Sequence, residues 1–371
     1  IAALVISSIF TGVGARAFPD ILRTVYSICV FLLFAHFRLS PSETVALARS
    51  WVVVALLISV AGFLSFLGVT LFGMPQNPLA YANSANLGEQ AVRVSSTLGS
   101  NTLILYIQTA AMFCVLLIGS SSSSVLQRRL LQYALMALLL VSPFTISRGI
   151  IGLVLSLALF GYVSRDRVPA LWRAKRALAC AAGLLVAGGA LATIWAVFPA
   201  EVRLDGDRER FRVEVNAQKN AYYVLHTAAL RMFLANPLAG VGPGEFGRNV
   251  RGFTTSGERE SAWPPIGESI DYDPHSAWFG WAAKGGIIGL AGWLILYGWI
   301  LGQLIRRRPS EDLFNVRRLT GIALVGILLN GLHVEISHLK FIWAFLGIGM
   351  GASQSQEVLA ISNPGAGCQK R

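Results

Sequence analysis

The sequence predicts an all-α fold, a polytopic transmembrane helical bundle of about 10 spans with one large loop containing short helices on one side of the membrane. Three observations predict it. Hydrophobic residues make up 54% and charged residues 13% of the 371 positions, and the mean hydropathy is +0.59, which is too apolar for a soluble domain. Apolar runs long enough to cross a hydrocarbon core of roughly 30 Å recur along the chain. A single polar stretch, 200–274, interrupts them.

Taken in order, the first run is 1–13, which opens on Ile in mid-helix, so further N-terminal spans are expected ahead of it. Runs follow at 21–37, 45–73, 101–119, 130–145, 149–163 and 177–198, then, past the polar stretch, at 276–305, 320–335 and 339–351. The domain reading is therefore N-terminal transmembrane helices over 1–199, a loop over 200–275, C-terminal helices over 276–352 and a disordered cytoplasmic tail over 353–371. No cleavable signal peptide is visible, and the first helices are enough to direct insertion.

Orientation follows from the basic residues. Arg128 and Arg129, the group from Arg165 to Arg176, and Arg306 to Arg308 with Arg317 and Arg318 fall in three short connections. The positive-inside rule puts those in the cytoplasm. Residues 74–100, the Ser147-Arg148 turn, the large loop and the turn from His333 to His338 then lie together on the opposite face. The loop holds nine basic and eleven acidic residues over 201–273, so the net charge of +12 comes from elsewhere. Topology accounts for that excess, and a nucleic-acid partner is not expected. Cys29, Cys114, Cys180 and Cys368 show neither a disulfide framework nor metal-ligand spacing.

Three polar residues are out of place for a simple membrane anchor. Arg148 interrupts two apolar runs by only a few residues, which holds a guanidinium near the headgroup plane. There it serves either as an interfacial anchor or as a clamp for a phosphate or carboxylate, because Arg keeps its charge and offers a planar fork of donors. Arg231 lies on a short amphipathic helix, 226–236, whose Leu230, Phe233 and Leu234 would rest on the membrane surface. Asn236-Pro237 stops that helix, and the glycine-rich turn at 240–244 lets backbone amides approach a ligand. His275 follows Asp271, Tyr272, Asp273 and Pro274 at a helix N-terminus. The helix dipole favours its neutral form and the aspartates favour the cation. A neutral imidazole there can take a proton from an attacking hydroxyl, with an aspartate holding the tautomer.

Four segments together resemble the O-antigen ligase and O-antigen polymerase superfamily of bacterial membrane glycosyltransferases. They are Arg93-Val-Ser-Ser-Thr-Leu-Gly-Ser-Asn101, Ser147-Arg148-Gly149, the stretch from Arg231 to Gly242 with Gly244 and Phe246, and the stretch from His275 to Leu290. The resemblance implies a metal-independent transferase, using no cofactor, that takes a glycan from an undecaprenyl-diphosphate carrier at the periplasmic face of the bacterial inner membrane. The acceptor it implies is lipid A-core or a growing glycan, and membrane lipids surround the site. Carried over, Arg148 and Arg231 hold the diphosphate, and His275 activates the acceptor. Arg93, Asn101 and Gly242 are further substrate-binding candidates. The chemistry agrees, since a departing diphosphate gains negative charge that preorganised arginine donors stabilise.

The chain departs from the family pattern at Lys284, where many members carry an acid. The pairs Gly285/Gly289 and Gly298/Gly302 read as helix-packing sites, and Trp278 and Trp281 as interfacial belt residues. Of the three readings, ligase comes first and a polymerase joining carrier-linked repeat units second. The third, a transporter for the same lipid-linked glycan, calls for midplane charges or broken helices in paired halves, and the sequence shows neither.

Overall fold

The computed structural model describes residues 1–37, 39–82, 92–95, 99–119, 124–145, 147–163, 200–204, 211–215, 221–262, 272–306 and 315–362. The helices are α1 (Ala2–Thr11), α2 (Phe18–His36), α3 (Pro41–Phe72), α4 (Ser100–Gly119), α5 (Val125–Val141), α6 (Ile150–Val163), α7 (Ala221–Ala235), α8 (Phe246–Asn249), α9 (Ser256–Ser261), α10 (Ala277–Ile305), α11 (Val316–Asn330) and α12 (Lys340–Ser362). Two short antiparallel hairpins join them, β1 (Ala80–Ala82) with β2 (Val92–Val94) and β3 (Ala200–Leu204) with β4 (Phe211–Val215). The chain is thus all-α and multi-pass. Among the described residues, five helical stretches are long and apolar enough to cross a membrane: Gly14–His36, Pro41–Phe72, Ser100–Gly119, Val125–Thr145 and Ala277–Ile305. The expected span at 177–198 lies outside the described residues.

Helix starts are set by caps that lie ahead of the apolar runs. Ser40 accepts from the Glu43 amide at 3.3 Å while Glu43 accepts from the Ser40 amide at 2.8 Å. This capping box, with Pro41 in the first turn, starts α3 before its apolar run. Ser124 and Gln127 do the same for α5. At the far end of α10, Arg317 is 2% exposed and donates through Nε to the Gln303 carbonyl at 2.7 Å, so this basic residue caps a helix C-terminus from inside the protein.

α4 is the central helix. In its most apolar stretch 78% of residues are buried, against 22% to 28% in the other four long helices. It packs against α3, α5, α6, α11 and α12. A buried polar network crosses this core. Gln108 of α4 donates to Ser156 Oγ at 2.9 Å and to the Ala323 carbonyl at 3.2 Å. Asn330 of α11 donates to Gln108 Oε1 at 2.9 Å and to the Gly149 carbonyl at 3.0 Å, and accepts from the Gly152 amide at 3.1 Å. Away from water such groups must be paired within the protein. The helices come this close because Gly152 and Gly326 face each other: a Cβ on Gly152 would lie 2.3 Å from the Gly326 carbonyl. The packing glycines are these, whereas a Cβ at Gly298 or Gly302 would meet nothing within 4 Å.

α10 is broken in the middle, a feature the sequence reading does not find. Gly286 has φ 61 and ψ −154, which only glycine tolerates. The break frees two carbonyls and two amides, and the loop after α7 takes them. Val241 and Gly242 donate to the Ala283 and Lys284 carbonyls at 2.9 and 3.1 Å, and Ile287 and Ile288 donate to the Pro237 and Leu238 carbonyls at 2.7 and 3.2 Å. From α1, Ser7 Oγ donates to the Ala239 carbonyl at 2.6 Å. Glycines are needed on both sides of the contact, since a Cβ at Gly240 would lie 2.4 Å from the Ala283 carbonyl and one at Gly286 2.4 Å from Leu238. The gap in the helix is filled by protein backbone, as irregular structure at membrane depth requires.

Candidate functional site

One end of the bundle gathers polar groups from four separate segments: the break before α6, α7, the start of α10, and the turn between α11 and α12. The break is set by its neighbours. Ser147 Oγ donates to Asn101 Oδ1 at 2.7 Å, and the Gly149 amide donates back to Ser147 Oγ at 3.2 Å. A Cβ on Gly149 would lie 2.3 Å from Ile104, so the backbone lies directly on α4. Between these fixed neighbours Arg148, half-buried, extends over the Tyr222 ring with its guanidinium carbon 5.5 Å from the centroid.

Tyr222 and His226 lie four residues apart on α7 and so share a face. Tyr222 also meets His275 edge-on, with ring centroids 5.0 Å apart. His226 stacks on Phe279 of α10 at 5.0 Å and 23°. It also hydrogen-bonds the backbone of His275. The face of α7 that packs inward is Val224, Leu225, Ala228, Ala229 and Met232, where the two alanines let α10 approach, and Leu230 and Leu234 stay exposed.

His275 has φ 51, a left-handed conformation uncommon outside glycine. Its amide donates to Asp273 Oδ1 at 3.0 Å, so Asp273 holds the backbone of His275. The next residue, Ser276, caps α10 by accepting from the Phe279 amide at 3.3 Å and donates to the Gly331 carbonyl at 3.1 Å. These bonds turn the imidazole out of the helix and toward Tyr222. Crowding by protein lowers the His275 pKa, against a smaller opposing pull from Asp273. His226 and His333 are pushed down to about 4, each by burial first and then by the nearby charge of Arg148. Two histidines, His226 and His333, are therefore held toward the neutral form beside Arg148.

The remaining sequence-predicted residues fall around this cluster. Asn101 supports the break through Ser147. Arg93 is half-buried in β2, opposite Tyr81, on a hairpin packed against α3 and the turn Ser142–Thr145 just before the break. The Gly242 amide is spent on α10. Arg231 stands apart, on the side of α7 away from Tyr222 and His226. Its guanidinium makes two parallel 2.9 Å bonds to Glu258 and a 3.0 Å bond to the Phe253 carbonyl. Glu258, pulled down to about 2 by Arg231, also closes the capping box of α9 with Thr255.

Lys284 lies beside the break in α10, 3.8 Å from Asp20 of α2. Asp20 also accepts from the Gly244 amide at 2.9 Å and lies 3.6 Å from Arg23. Lys284 thus has an acidic partner from α2, and the Glu335 carboxylate lies across from Gly280 on the same helix as Lys284. The indoles of Trp278 and Trp281 turn inward, to the Leu328 carbonyl at 2.9 Å and Ser337 Oγ at 2.8 Å, and fasten α11 and the turn after it to α10. Sequence reasoning singles out neither Tyr222, His226 nor His333; the i, i+4 spacing of the first two is the signal that points to them.

Chemically, the cluster offers a fixed cation for an anionic group and neutral imidazoles for a hydroxyl, at one end of a membrane bundle. Residues 133–294 match a family described as O-Antigen ligase. The matched region runs from α5 into α10 and contains Arg148, Tyr222, His226 and His275. The likeness supports an O-antigen ligase-type or polymerase-type membrane glycosyltransferase. No curated protein matches the chain.

Proposed function

We propose, starting from that family likeness, that the protein transfers a glycan from an undecaprenyl-diphosphate carrier to an acceptor hydroxyl, as a ligase acting at the periplasmic face of the bacterial inner membrane. The observation that carries the reading is the meeting of Arg148 and His275 on Tyr222, from segments 127 positions apart in sequence (275 minus 148). In the reaction the acceptor oxygen attacks the anomeric carbon, and the bond from that carbon to the phosphate oxygen breaks. The bonding pair leaves with the diphosphate, and the hydroxyl proton goes to His275. Arg148 stabilises the charge that grows on the leaving group, in a site where burial strengthens the interaction. The diphosphate already activates the sugar, so neither metal nor cofactor is assigned a step.

Arg231 takes a different part here from the one the resemblance implies. It ties α7 to α9 through Glu258, and a phosphate would have to displace that carboxylate. The acceptor is lipid A-core in the ligase reading. In the polymerase reading it is a growing carrier-linked glycan held by the same groups.

The test compares Arg148→Lys with Arg231→Lys in a host lacking its own ligase and polymerase, scoring lipopolysaccharide and carrier-linked glycan by gel. Arg148→Lys is expected to lose transfer by about a hundredfold or more while the protein accumulates normally, because an ammonium cannot reproduce the fork. Arg231→Lys is expected to keep most of it. Near wild-type transfer by Arg148→Lys removes the diphosphate site from the account, and equal loss at both restores a two-arginine clamp. Long chains on lipid A-core mark the ligase; chains lengthened on the carrier mark the polymerase.

A further inference from the structure

We infer that His226 binds a substrate hydroxyl: its Nε2 is a fixed, neutral hydrogen-bond acceptor built into the site beside Arg148. This rests on the proposed glycan transfer and assigns a contact that reading leaves open.

The ring is fixed on several sides. Its backbone is part of α7, one face stacks on Phe279 at 5.0 Å, and an edge hydrogen-bonds the His275 backbone. Nε2 is buried and has no hydrogen-bond partner. The bond to His275 therefore uses Nδ1. The His275 backbone raises the proton affinity of the ring, as a carbonyl acceptor does, which assigns the proton to Nδ1 and the lone pair to Nε2 in this proposal. A buried acceptor without a donor is rare in folded proteins and calls for an explanation.

The surroundings select the donor. An anion would be repelled by the lone pair and is better served by Arg148. A cation is disfavoured by the positive charge of Arg148, which His226 feels directly. What remains is a neutral donor, and a glycan is rich in hydroxyls. The arrangement divides the two chemistries of a diphosphate-linked sugar between neighbouring residues, phosphate to Arg148 and sugar hydroxyl to His226.

Two substitutions separate this from a supporting role. In His226→Asn the carboxamide reaches the place of Nδ1, which keeps the bond to the His275 backbone and loses the acceptor. In His226→Gln it reaches the place of Nε2 and supplies an oxygen acceptor there. The purified full chain is titrated with a polyprenyl-diphosphate-linked oligosaccharide and with the bare polyprenyl diphosphate. The glycan-bearing ligand is expected to bind His226→Asn about tenfold more weakly than wild type, and His226→Gln within about threefold, with the bare ligand unaffected by either. Equal behaviour of the two variants, or equal weakening of both ligands by Asn, overturns the hydroxyl contact and leaves His226 a prop for His275. A wild-type protein that binds the glycan-bearing ligand no better than the bare one removes the proposed function as well.

Discussion

His226 and His275 meet at one site with different freedoms. His275 is set by a strained backbone and a helix cap with its ring turned outward, whereas His226 is stacked and bonded inside. His275 is legible in the sequence because an ionisable residue beside an apolar run stands out. His226 was hidden by its helix. The amphipathic pattern of α7 draws attention to Leu230, Phe233 and Leu234, while the face that packs on α10 is lined with Ala228 and Ala229, small residues that carry little hydrophobic signal. The titration of these rings has a consequence for stability. His226 and His333 titrate near 4 in the folded protein and near 6.5 when unfolded, so between those values the unfolded chain binds more protons. Stability is complete above about pH 6.5 and falls as the pH drops toward 4. Melting temperatures in detergent, measured from pH 7.5 to 4.5, should therefore decline, and His226→Phe should flatten that decline while preserving the stack on Phe279. Identical slopes for the two proteins would mean that His226 is not held neutral by the fold.

At the scale of elements, the broken α10 joins sequence to site. Its apolar length was readable from composition, but its interruption was not, because the groups that satisfy the break come from Pro237 to Gly242, more than forty residues upstream in the chain. Glycines in both segments stand out in the sequence, but read as a ligand-binding turn at 240–244 and as a packing pair at Gly285/Gly289 they do not show that they are two halves of one joint. The joint matters to function because it fixes α7, with Tyr222 and His226, against α10, with His275 and Phe279. Gly286→Ala puts a Cβ 2.4 Å from Leu238 at a backbone conformation reserved for glycine, and should cost roughly 3 kcal/mol. Gly298→Ala, in the same helix with nothing within 4 Å, should be neutral or slightly stabilising, since alanine is the better helix former. Thermal unfolding of the two variants side by side checks this. A Gly286→Ala protein as stable as Gly298→Ala would show that the loop does not need the break.

Over the whole molecule, the class and the end at which function gathers were legible, since apolar runs and the sidedness of the arginines place the Ser147-Arg148 turn, the large loop and the His333 turn together. What composition could not show is how the first two helices join that end. The structure does it with charge: Asp20 of α2 reaches the Gly244 amide and Lys284, both within the ligase-like region, with side chains only 13% and 14% exposed for the ion pair. A lysine suits position 284 because a carboxylate there would face Asp20. Buried pairs contribute little net stability over an apolar replacement, yet removing one partner strands the other. Lys284→Met should therefore destabilise the protein by roughly 3 kcal/mol, and adding Asp20→Asn should recover part of that loss, because the stranded charge is gone. Melting temperatures of the two single variants and the double variant complete the cycle. Strictly additive losses would mean that Asp20 and Lys284 do not act as a pair, and that packing and the hydrogen bonds of Ser7 and Asp20 hold the N-terminal helices to the site.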